Sequence, residues 1–173
     1  MAVEPGTGAV TLAVQSIRAL FGAYNAYADG KVRETDDGIR EDLRRRVNMI
    51  RDHLTNIEGR AVERGAASMI REIARATRVL DALSDDIRMG PHGSTGVVHT
   101  DADPVKRRMI QDLIKHDKAV YERLVEATRA VNEAEELMLS NVEEATVKVA
   151  MLEQRLTSVR NRYQQRVALL GGF

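Results

Sequence analysis

Two stretches of this chain carry apolar residues alternately four and three positions apart, over spans far longer than an ordinary globular helix. That spacing restricts the chain to long helices packed along a seam. In the first stretch Ile39, Leu43, Val47, Ile50, Leu54, Ile57 and Ala61 hold the pattern, which then slips by one residue and resumes at Val62, Ala66, Met69, Ile73, Ala76, Leu80, Leu83 and Ile87. The slip coincides with Gly59, Gly65, Ala66 and Ala67, and predicts a local bend or a close helix contact. In the second stretch the seam reads Leu113, Val120, Leu124, Ala127, Val131, Ala134, Met138, Asn141, Ala145, Val149, Leu152, Leu156, Val159, Tyr163, Val167 and Leu170. Asn141 thus falls on the seam, where a buried amide sets register or oligomeric state at some expense in stability.

Punctuation residues bound these stretches. Gly30 stands where a helix C-cap is expected, and KVRETDDG offers Thr35, Asp36 and Asp37 as N-caps for the next helix. Residues 90–102 hold three Gly and a Pro without a sustained period, which reads as a loop. Asp103 followed by Pro104 then starts a helix expected to run to about Leu170.

At about 1.5 Å per residue the two stretches would be roughly 80 and 100 Å long, too long for a compact bundle unless they break. The expected architecture is therefore all-α, with a short N-terminal amphipathic helix and turn over 1–34. A long antiparallel two-helix coiled-coil hairpin would follow over 35–173, with its loop at 90–103. Folding about residue 96 or 97 sets Arg155, Arg160, Arg162 and Arg166 against Asp29, Glu34, Asp36 and Asp37 as exposed pairs. A single seam leaves Ile110, Ile114, Leu137 and Leu169 uncovered, so a homo-oligomer is expected, most simply a four-helix section made from two hairpins.

In the N-terminal segment Val10, Ala13, Val14, Ile17, Leu20, Phe21, Tyr24 and Tyr27 recur at helical spacing. Arg18, Gln15 and Asn25 argue against a spanning helix, although the segment suits a membrane surface or a partner helix. Val10, Ile17, Leu20, Phe21 and Tyr24, with Leu137 and Asn141, form the expected oligomer or partner interface.

The side chains for chemistry are sparse. There is no cysteine, which excludes disulfides and thiol nucleophiles. Lys plus Arg and Asp plus Glu balance at 26 each, without the net basic field of nonspecific nucleic-acid binding, so no nucleic acid is expected. Di-metal carboxylate bundles need Glu-x-x-His pairs, and none occurs; the run Glu133, Glu135, Glu136, Glu143, Glu144 reads as a solvated acidic face. His92 and His99, near Asp101 and Asp103, match no ligand spacing, and His53 and His116 read as helix-surface residues. Arg44, Arg45 and Arg46 are flanked by Glu41, Asp42 and Asp52, which favours pairing within the helix over phosphate binding. No catalytic, cofactor or metal site is expected. The N-terminus lacks the features of a secretory signal, so a cytoplasmic location is expected.

These observations point to a non-enzymatic, self-assembling coiled-coil scaffold or adaptor that binds copies of itself or another helical protein. A peripheral membrane protein is the first alternative. The order of a short amphipathic helix and then a long hairpin looks like that of the membrane-remodelling PspA and ESCRT-III proteins, and DPVKRRMIQDLIKHD from Asp103 resembles the former, though in a different helix. That resemblance is architectural and implies no individual residue's role. A helical-bundle enzyme with an unrecognised metal site is the second alternative.

Overall fold

The computed structural model describes residues 32–90 and 104–170, and among these every element is a helix: α1 (Val32–Glu63), α2 (Ala67–Met89), α3 (Pro104–Leu137) and α4 (Val142–Leu170). The two continuous helices expected from the seams are each divided in two. Both interruptions have a local cause.

Between α1 and α2, Gly65 adopts φ +66°. The Ala66 N–H donates to the Ala61 carbonyl at 2.9 Å and the Gly65 N–H to the Val62 carbonyl at 3.1 Å, the paired bonds of a Schellman C-cap. The slip in the first seam is therefore a full reversal of the chain rather than a bend. Val62, expected on the seam, is 62% exposed because the register ends at Ala61 and restarts at Met69.

Between α3 and α4 the chain turns at residues 138–141. Asn141 is exposed and caps α4: its Oδ1 accepts the Glu144 N–H at 3.1 Å, while its Nδ2 donates to Glu144 Oε2 at 3.2 Å. The expectation that Asn141 lies buried in a seam is thus corrected. Asn is both a seam-polar and a capping residue, and the free N–H groups of a new helix decide between the two roles.

The two resulting hairpins pack into one four-helix bundle. Neighbours around the ring are α1 with α2, α2 with α4, α4 with α3, and α3 with α1. The antiparallel course of α1 and α2 follows from Arg51 meeting Asp81 while Arg40 meets the Ile87 carbonyl. In α3 and α4, Glu133 meets Lys148 and Arg123 meets Ser158. Across the hairpins α1 runs parallel to α3, with Arg46 over Tyr121 and His53 against Glu135.

The alternating apolar residues form the core, from Leu43 through Ala61 in α1, Met69 through Ile87 in α2, Leu113 through Ala134 in α3 with Met138 just beyond it, and Ala145 through Tyr163 in α4. Burying each Leu or Ile contributes about 1.5–3 kcal/mol of transfer free energy. The residues expected to need a second copy are covered within the chain. Ile110 is buried, and Ile114, Leu137 and Leu169 pack partly buried against the core. One chain supplies the four helices that two hairpins were expected to provide. Where one long hairpin was expected, the described residues form two shorter ones. No helix among the described residues is long and apolar enough to cross a membrane.

Helix α1 begins at Val32, upstream of Thr35, Asp36 and Asp37, the residues expected to cap it. Asp36 instead lies inside the helix and inside the core.

Candidate functional site

At the end of the bundle where α1 and α3 start and α2 and α4 finish, the seam changes from apolar to charged. Asp36, Arg40, Asp117 and Arg166 are each at most 1% exposed. All four occupy seam positions. Asp36 and Arg40 continue the Leu43, Val47 spacing backwards, Asp117 fills the gap of seven between Leu113 and Val120, and Arg166 follows Tyr163 by three.

Their bonds join every helix. Arg40 Nε donates to Asp36 Oδ2 at 2.8 Å within α1, and Arg40 Nη1 donates to the Ile87 carbonyl of α2 at 2.7 Å. Arg166 of α4 donates through Nη1 to Asp36 Oδ1 at 2.6 Å and through Nε to Asp117 of α3. Gly90, just beyond α2, sits beside this layer, and a Cβ there would lie 2.8 Å from the Asp86 carbonyl oxygen, too close for any side chain without a shift of the backbone. The Arg166 guanidinium also lies over the Tyr163 ring, 5.8 Å from its centroid. Burial pushes the Tyr163 phenol above its usual value of 10.0, against the pull of Arg40 and Arg166.

Two guanidiniums and two carboxylates balance in charge, and each is committed to another member. Such a layer is a positional lock. Buried ion pairs recover their desolvation penalty only in good geometry, and they act chiefly by making wrong registers leave a charge unpaired.

Further polar ties flank the layer. Arg46 is hydrogen-bonded to Asp42 and stacks 5.4 Å from the Tyr121 centroid, which joins α1 to α3. Burial, followed by the neighbouring Asp42 carboxylate, pushes the Tyr121 phenol far up. Asp86 of α2 receives Arg160 at 2.7 Å and Gln164 at 3.2 Å from α4. Near the opposite end His53 Nδ1 lies 2.5 Å from Glu135 Oε2, and Arg60 Nη1 donates to the Glu135 carbonyl at 3.2 Å.

The residues singled out in the sequence have mixed placements. Val10, Ile17, Leu20, Phe21, Tyr24, His92, His99, Asp101 and Asp103 lie outside the described residues. Leu137 packs partly buried against the core, and Asn141 is exposed and caps α4. The arginine run pairs within its helix: Arg44 with Glu41, and Arg45 and Arg46 with Asp42. Of the arginines expected to face the N-terminal acids, Arg166 meets Asp36, and that pair is buried rather than exposed; Asp29 and the Glu34 side chain lie outside the described residues. Arg160 goes to Asp86, Arg155 to the Glu126 carbonyl, and Arg162 to Gln165. The acidic run is partly structural, since Glu135 and Glu133 tie helices together through His53 and Lys148.

The charged layer itself was missed as a unit. Its signal was the seven-residue gap at Asp117, where a seam position is filled by a carboxylate.

Among the described residues no group of three or more His, Cys, Asp or Glu is arranged to hold a metal ion. Two open surface depressions are lined by Arg123, Glu126, Met151, Gln154, Arg155 and Ser158, and by Asp85, Asp86, Met89, Gly90, Tyr163, Gln164 and Val167. The first is a groove between α3 and α4 with Met151 among its lining residues. Compared with protein families, with curated proteins and with solved structures, the chain has no match.

Proposed function

We propose that this chain is a non-enzymatic helical scaffold or adaptor of the cytoplasm, working through helix-helix protein contacts and assembling with copies of itself. One observation carries the reading: the core is closed within a single chain, yet Val62, Met89, Leu139, Val147 and Met151 remain between 52% and 74% exposed outside it. Apolar side chains that the fold does not use are available to partners. The cross-tied charge layer supports the reading too, because a rigid body with a fixed register can hold binding faces in constant relation. The apolar row Val10, Ile17, Leu20, Phe21 and Tyr24 is the interface that the sequence adds to this body, directed at a helix of another copy or of another protein.

Absolute mass by light scattering, over a concentration series of the full chain, tests the reading. Assembly that is weakened by Leu20→Asp or Phe21→Asp, with helicity retained, supports it. A monomer at every concentration removes self-assembly from it.

A further inference from the structure

We propose that the outer face of α4 is a two-fold self-association surface that receives α4 of a second copy of this chain in antiparallel orientation. The exposed apolar residues differ in what explains them. Val62 and Met89 lie at helix C-termini and Leu139 in a turn, where the chain's course leaves side chains outside. Val147 and Met151 lie within α4, one turn apart on one face, and are 59% and 52% exposed. Nothing in the course of the helix accounts for them.

The charges around this pair select the occupant and its direction. Glu143 stands four residues before Val147, and Arg155 stands four residues after Met151. The sequence order along the face is therefore acidic, apolar, apolar, basic, with its centre at residue 149. An antiparallel copy centred there sets Val147 against the partner's Met151 and Glu143 against the partner's Arg155, each contact occurring twice. A parallel copy would set Glu143 on Glu143 and Arg155 on Arg155, with repulsion at both ends. Antiparallel α4 helices also oppose their dipoles favourably.

The charged groups are available. Both are exposed, and Glu143 has no ion pair among the described residues. Arg155 spends only Nη1, on the Glu126 carbonyl at 3.3 Å, leaving its other donors. The groove lined by Arg123, Glu126 and Met151 beside this face gives the partner helix a shallow seat. A contact of this size belongs to the small, transient class of interface, so association is weak and concentration-dependent.

The test is sedimentation of the full chain over micromolar to submillimolar concentration, with Glu143→Arg and Arg155→Glu as single variants. Each alone places like charges across the two-fold and weakens association about 10-fold. Mixed in equal amounts they restore it, because each protomer then meets its opposite in both contacts. Circular dichroism confirms that both variants stay helical. Wild-type chain that stays monomeric, assembly unaffected by either variant, or two variants that remain monomeric after mixing would each overturn the proposal. The inference extends the scaffold reading but fails separately from it. Assembly lost in Leu20→Asp and untouched by the α4 variants removes this face and leaves that reading in place.

Discussion

Arg166 of α4 reaches Asp36 of α1 across the diagonal of the bundle, Nη1 to Oδ1 at 2.6 Å, between residues 130 positions apart that are both fully buried. These two helices are not ring neighbours. The bond therefore passes through the middle of the core, and Asp117 of α3 and Arg40 of α1 complete the layer around it.

Arg166 makes two buried ion pairs, to Asp36 and to Asp117, and removing it breaks both at once. Arg166→Met is expected to destabilise the fold by about 3–5 kcal/mol in denaturant unfolding. Replacing Asp36, Arg40, Asp117 and Arg166 together by apolar residues of similar volume should come out near neutral, with the register between the two hairpins less strictly specified. A loss under about 1 kcal/mol for Arg166→Met would show that the layer is solvated rather than buried.

Asn141→Ala is expected to cost about 1 kcal/mol through loss of the α4 cap, and Asn141→Leu a similar amount. A seam Asn would behave oppositely, gaining stability on becoming Leu. Thermal unfolding of the two variants distinguishes these outcomes, and Asn141→Asp should stay close to wild type.

Gly65→Ala should destabilise by about 1–2 kcal/mol, since φ +66° is unfavourable for any residue with a Cβ. No atom lies within 4 Å of the added methyl, so the loss is conformational and not steric. Gly65→Asn, which tolerates the left-handed region better, should recover part of it, as measured by equilibrium unfolding.

The imidazole of His116 is held below its usual 6.5, first by burial and then by the nearby Arg162 guanidinium, with Asp112 pulling the other way. Its Nδ1 is buried without a hydrogen-bond partner. A lowered folded-state value means that below 6.5 the unfolded chain binds the proton first. Stability from this group is therefore full above that pH and falls as pH drops toward the folded-state value. His116→Gln should flatten the acid limb of stability against pH between about 7 and 5, and an unchanged slope would assign that limb to other groups.

Most of the helical content was legible because seam spacing is a local property. Leu43 to Ala61 and Leu113 to Met138 are buried as the spacing predicts. Pro104 opens its helix as expected, its missing N–H needing no partner at the first helical position. The charged layer was less legible. Asp36, Asp117 and Arg166 sit at seam positions, yet a charge in a seam reads as a gap until its partner is known. Those partners lie on other helices.

The sequence by itself determined that the described residues are helical and which of them form the apolar stripes. It did not determine whether each stripe belongs to one long helix or to two. Gly65 is compatible with a bend and with a Schellman turn, and Asn141 with a seam and with a cap, because both are permissive at short range. Tertiary packing decided between them. Folding each stripe back on itself lets one chain bury all four faces and pair the charges of the layer, whereas two long helices on their own would leave part of that apolar surface in water.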